Sequence, residues 1–145
     1  MQPLQFLIPI EQIDAIGPAL PFAALVLVLA NIVTRYLGHR SNREQLANDE
    51  PITRYAPHTA TTALLILTSF AYVLVEAHGG IILSMFVIGM FMADFFEFEA
   101  RQVEARNDLA FEAPKSAIAA SVFAFLYAAY QSLFFLVADY WGAVV

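Results

Sequence analysis

No cysteine occurs among the 145 residues. Its absence excludes disulfides, thiolate metal sites and cysteine nucleophiles together. Lysine is almost missing, with Lys115 its single example, and 7 Lys and Arg stand against 13 Asp and Glu for a net charge of -6. Such a chain lacks the basic footprint of a nucleic-acid binder, so no nucleic-acid partner is expected. There is no GxSxG, no HExxH and no Gly-rich phosphate loop, which leaves hydrolase and nucleotide-binding chemistry without residues to rest on. The three histidines form no zinc pattern. His39 and His58 are flanked by polar loop-type residues and read as solvated, and His78 beside Glu76 falls short of a ligand set. No metal, no cofactor and no enzymatic activity are expected.

The opening residues, MQPLQFLIPIEQIDAIG, lack a positively charged n-region, and Glu11 and Asp14 interrupt their apolar run. A cleavable signal is therefore not expected, and with no glycine at position 2 and no cysteine to acylate, neither is a lipid anchor.

Apolar sequence is what the chain has in plenty. Hydrophobic residues make up 60% and charged residues 14%, a balance too apolar for a soluble domain of this size. A membrane-spanning helix needs about 20 mostly apolar residues, and four segments qualify, at about 17–37, 57–77, 81–100 and 115–138. The expected fold is all-α: a four-transmembrane-helix bundle forming one membrane domain over 1–145, with the lipid bilayer as its solvent. Residues 1–16 mix Leu, Phe and Ile with Gln, Glu and Asp around Pro3 and Pro9, too short a stretch to span, and read as an interfacial segment on the membrane surface.

Prolines mark the helix starts. Pro18 and Pro21 fall in the first turn of the first span, Pro57 in that of the second and Pro114 in that of the fourth, where backbone donors lack intrahelical partners anyway. Gly79 and Gly80 read as a helix break that permits a tight hairpin between the second and third spans. The stretch 38–56, GHRSNREQLANDEPITRYA, reads as a solvated connection with room for a short helix at Asn42 to Ala47. The third helix is expected to continue past the apolar region, where EARQVEAR suits a soluble helix laced with local charge pairs. Tyr140 and Trp141 read as an aromatic anchor after the last span.

Every basic residue falls in the first or third connection or at its margins. By the positive-inside rule, loops 38–56 and 101–114 are expected in the cytoplasm, both termini outside, and the third helix extending into the cytoplasm.

Four stretches carry a resemblance: LIPIEQIDAIGP at the start, RYAPH before the second span, ADFFEFEARQVEARND in the third and LYAAYQSLFFLVA in the last. Together they resemble a family of small integral membrane proteins from extremely halophilic archaea with no established biochemical role. The resemblance implies an archaeal cell membrane and supplies no catalytic residue.

Three groups of residues stand out. Counted from Pro18 and from Ile81, Asn31 and Asp94 each come 13 positions later in helices that run in the same direction, so they share a depth, and Arg35 and Glu97 follow one turn later. Asn31, Arg35, Asp94 and Glu97 are therefore a candidate intramembrane polar network, with Asn31 and Arg35 as partners for Asp94 and Glu97 also within reach of Arg35. A carboxylate at that depth reads either as a helix clamp or as part of an ion pathway. Tyr72, Glu76, His78, Tyr127 and Gln131 form a candidate polar cluster toward the other side. Ser116, Ala120, Ala124, Ala128 and Ser132, four residues apart, form a small-residue helix-packing face. The function that fits is a non-catalytic accessory or assembly subunit, its partners other membrane subunits or further copies of itself. The alternative is a small ion-conducting or proton-coupled transporter using Asp94.

Overall fold

The computed structural model describes residues 7–145, and every regular element among them is helical. A short helix α1 (Ile10–Ile16) and a 3-10 turn (Gly17–Ala19) lead into α2 (Leu20–Ala47). Then come α3 (Ala56–Val75), α4 (Ala77–Arg106) and α5 (Lys115–Leu133), followed by a 3-10 turn (Phe134–Leu136) and a final short helix α6 (Ala138–Val144). Four of these stretches are long and apolar enough to cross a membrane. The chain is thus an all-helical, multi-pass membrane protein.

The four long helices alternate in direction. Packing joins α2 to α3, α3 to α4, α4 to α5 and α5 back to α2, which closes a ring and puts α2 and α4 on a diagonal. Small and medium apolar side chains fill the axis: Ala24, Val28, Leu65, Leu83, Val87 and Ala124 are fully buried. Large apolar residues such as Val26, Leu67, Met85, Phe123 and Leu126 are exposed on the outside. A helix apolar all round is at home in lipid, where the exterior has no reason to be polar. All seven basic residues gather at or near one end of the ring, the basic end, which holds the connections after α2 and α4.

Several boundaries differ from those expected. The segment 38–56 is not mostly loop: α2 runs on to Ala47, and the connection shrinks to 48–55. No proline or further glycine intervenes between Gly38 and Ala47, and the Arg40–Glu44 pair at 3.0 Å supports the added turns at i,i+4 spacing. Polarity there marks water and does not end the helix. Gly79 and Gly80 do not form the hairpin. The break is at Glu76, whose extended backbone ends α3 and caps α4, its carboxylate accepting from the Gly79 N–H. The glycines lie in the first turn of α4, where a Cβ on Gly80 would collide with the backbone of Tyr72 and Val73. Glycine there allows two backbones to touch. In the last span regular α-helix stops at Leu133, and a 3-10 turn carries the apolar stretch on to Leu136. Of the expected interfacial segment, residues 1–6 lie outside the described residues, and 10–16 form α1, packed near the end of α3.

Helices α2 and α4 end in the same way. Asn48 and Asn107 are the last half-helical residues, and Asp49 and Asp108 take left-handed φ of 54° and 53°. The Glu50 N–H returns to the Gln45 carbonyl at 2.9 Å and the Leu109 N–H to the Glu104 carbonyl at 2.9 Å. These six-to-one bonds are Schellman closures, in which an Asx residue stands where glycine is commonest.

Candidate functional site

The buried face of α2 can be followed along its sequence: Ala24, Val28, Asn31, Arg35, Gly38 and Asn42, separated by steps of three and four residues. Its first members are apolar and its last are polar, so one helical stripe passes from a greasy axis to a hydrogen-bonding one. The facing stripe on α4 does the same, from Leu83, Val87 and Met90 through Asp94 and Phe98 to Arg101. Their polar halves meet at the basic end.

There Arg35 crosses the diagonal of the ring. Its Nε donates to Asp94 Oδ1 at 2.8 Å and its Nη2 to Asp94 Oδ2 at 2.9 Å, the two-pronged geometry that makes Arg–carboxylate pairs strong and directional. The side chains are 6% and 15% exposed. Asn31 orients the guanidinium from one turn earlier, its Oδ1 accepting from Arg35 Nη2 at 2.9 Å. Its own Nδ2 donates to Thr61 Oγ1 at 3.1 Å and Thr62 Oγ1 at 2.9 Å on α3. His58 completes the group: Nε2 lies 3.1 Å from Asp94 Oδ2 and Nδ1 3.0 Å from Thr34 Oγ1. A carboxylate only accepts, so Nε2 carries the hydrogen. Three helices are thereby tied to one carboxylate.

Of the pairings expected from sequence, Arg35 with Asp94 forms and two others are replaced. Asn31 does not bond Asp94, because α2 and α4 sit across the ring and only the longer Arg35 spans the gap. Glu97 does not meet Arg35 either. It faces α5, where its Oε1 accepts from the backbone N–H of Ser116 at 3.0 Å and of Ala117 at 3.2 Å. The first N–H groups of a helix lack internal partners and carry partial positive charge, and Pro114 provides no side-chain cap. Glu97 supplies one from another helix. His58, expected to be solvated, is in the network. His39 is half-buried, edge-on to Phe111 at 6.2 Å between ring centroids.

Beyond Asp94 the polar stripe holds the connection 48–55. Asn42, 2% exposed, donates to the Thr53 carbonyl at 2.8 Å and accepts from Arg101 Nε at 3.1 Å, while Gln45 brackets Thr53 from both sides. The expected charge pairs inside EARQVEAR do not form among the described residues. Arg101 turns inward to Asn42 instead, and Glu99 pairs with Arg54 at 3.4 Å. Phe98 lies under both cations, 4.3 Å from Arg54 and 5.6 Å from Arg101.

A family model described as a domain of unknown function (DUF7313) matches residues 2–145. The chain belongs to that family. Searches of curated proteins and of solved structures each gave no match. The geometry of this family member is therefore the ground for any functional reading of the site.

At the opposite end the polar residues divide. Tyr72 donates to Gln131 Oε1 at 2.8 Å, and Gln131 Nε2 donates to the Tyr127 hydroxyl at 3.0 Å, which ties α3 to α5. Glu76 caps α4, and His78 is exposed; neither joins this set. The small-residue face of α5 is also rotated from the one expected. Ala124, Ala128 and Ser132 are buried, but the stripe continues through Ala117 and Ser121, leaving Ser116 exposed and Ala120 only half-buried. Steps of four turn a helix about 40° too far each time, so five in a row cannot share one face, and a mixture of threes and fours can. This stripe lies against α2 and α4 inside the ring.

Sequence reasoning missed Asn42, His58, Thr61, Thr62 and Arg101. The first and last were legible as continuations of the buried stripes. The α3 residues had no such signal, because RYAPHTATT reads as a helix start with no indication of which side faces inward.

Proposed function

We propose that this protein is a non-catalytic accessory or assembly subunit of a larger membrane complex in the cell membrane of an extremely halophilic archaeon. In this reading both termini lie outside, and the basic end, with connections 48–55 and 107–114 and the far turns of α2 and α4, lies in the cytoplasm. The gathering of all basic residues at one end supports that orientation. The archaeal source rests on the resemblance alone.

The observation that carries the non-catalytic reading is the occupation of Asp94. Both its oxygens are engaged by Arg35 and His58, and Val28, Leu65, Val87, Met90 and Ala124, all 0% exposed, separate this network from Tyr72 and Gln131. A clamp needs an occupied carboxylate; a proton or ion path through Asp94 needs that carboxylate free and a polar continuation. The transport alternative through Asp94 has the weaker support for that reason. Exposed apolar surface on all four long helices leaves ample area for a neighbouring membrane subunit.

The test is the mass and composition of the native assembly extracted in mild detergent. A second protein co-purifying in fixed ratio is the expected result, and a lone chain in its micelle would sink the proposal. In proteoliposomes no ion flux is expected; a flux abolished by Asp94→Asn would establish the transport alternative instead.

A further inference from the structure

One donor in the clamp is left over. Arg35 Nη1 is buried and has no partner among the described residues, and the same is true of His39 Nδ1. Both residues line a pocket of about 50 Å³ between α2, α3 and α4 at the basic end, together with Arg54, Arg101 and Asn42. Three arginines line it against one lining carboxylate, Asp94, which is taken by Arg35 and His58; Arg54 also reaches Glu99 outside the pocket at 3.4 Å, and the lining keeps a net positive charge. A buried guanidinium N–H without an acceptor is costly, and the surplus of positive charge calls for an acceptor that is anionic. About 10–15 Å³ of such space holds one water, so the pocket takes a few waters or one compact group.

A second cavity borders the first. A groove of about 380 Å³ between α3 and α4 shares Arg54, His58, Thr59 and Asp94 with the pocket and then runs along Ala63, Ile66, Phe91 and Phe95. One end of the combined site is therefore cationic and the other apolar. At about 1.5 Å per residue, Asp94 lies about 26 Å along α4 from Ala77, near the edge of a hydrocarbon layer about 30 Å thick. Taking Ala77 as the opposite edge of that layer, Arg101, two turns beyond Asp94, reaches about 36 Å, the headgroup level at which lipid phosphates lie.

We propose that the pocket and groove together form a binding site for one anionic phospholipid, the phosphate among Arg35, Arg54 and Arg101 and a hydrocarbon chain along Ala63 and Ile66 between α3 and α4. The phosphate oxygens supply the acceptor that Arg35 Nη1 lacks, and the chain covers the groove. This inference goes beyond the proposed function and does not depend on a protein partner.

The experiment uses the full chain in nanodiscs of mixed phosphatidylglycerol and phosphatidylcholine, released and weighed by native mass spectrometry. One phosphatidylglycerol retained per chain, preferred over phosphatidylcholine by roughly tenfold or more, is expected from two partly exposed arginines at the membrane surface. The double variant Arg54→Ala/Arg101→Ala keeps the Arg35–Asp94 clamp and loses the preference. Ala63→Trp fills the groove and lowers lipid retention, while its helix content stays unchanged. Equal retention of the two lipids, or a preference that survives the double variant, overturns the proposal. So does stabilisation by inorganic phosphate alone that matches phosphatidylglycerol, which would make the site one for a free anion.

Discussion

The two ends of the helical ring are closed by different physics. At the basic end a buried arginine reaches across the diagonal to a carboxylate on α4, with Asn31, His58 and two threonines bonded around the pair. At the opposite end no charge is buried among the described residues: a tyrosine–glutamine–tyrosine chain joins α3 to α5, and Gly80 lets α3 and α4 touch. A long ionic side chain can hold helices that are not neighbours, whereas close backbone contact works only between helices that are. The basic end therefore has a cross-brace and the opposite end has a hinge-like corner. The cross-brace is the stronger tie while both partners are present and the greater liability when one is lost.

That contrast predicts a ranking. Asp94→Asn leaves the Arg35 charge buried without its counter-ion, and a loss of about 3–5 kcal/mol is expected in detergent unfolding. A loss below that of any change at the opposite end would break the contrast. Gly80→Ala places a methyl against the Val73 backbone and forces α3 and α4 apart, for about 1–3 kcal/mol; its signature is a shift confined to the corner, read by cross-linking α3 to α4. Tyr72→Phe removes a single interhelical hydrogen bond, and about 0.6 kcal/mol is typical inside a membrane bundle. If it matched Gly80→Ala, the hydroxyl chain and not the backbone contact would hold the corner. Asp108→Gly relaxes a left-handed residue at the end of α4 and should give a gain of a few tenths of a kcal/mol by thermal unfolding. A loss there would mean that the Asp108 side chain contributes to the basic end.

Much of the architecture is legible in the sequence. Four apolar runs and the proline positions are enough for an all-helical, four-span chain, because lipid allows little else to cross it. Helix ends are less legible, and 38–47 shows why. Hydropathy reports the solvent around a helix, and α2 simply changes solvent without unwinding. The Gly79–Gly80 pair misleads for a related reason: glycine permits a turn, but here it permits an approach, and only the position of α3 tells the two apart. Asn31, Arg35 and Asp94 are identifiable by depth, yet their pairing depends on which helices are diagonal. The role of Glu97 is hidden because its partner is a backbone terminus, which no side-chain pattern advertises.

Above all, Arg35 and Asp94 act as one clamp across the diagonal. A double-mutant cycle on Arg35→Met and Asp94→Leu, followed by unfolding in mixed detergent micelles, tests this directly. Each single change should cost several kcal/mol, while the double variant, which leaves no unpaired charge in the bundle, should recover more than half of the larger loss. Additive losses would contradict the clamp and show that the two residues stabilise the bundle independently.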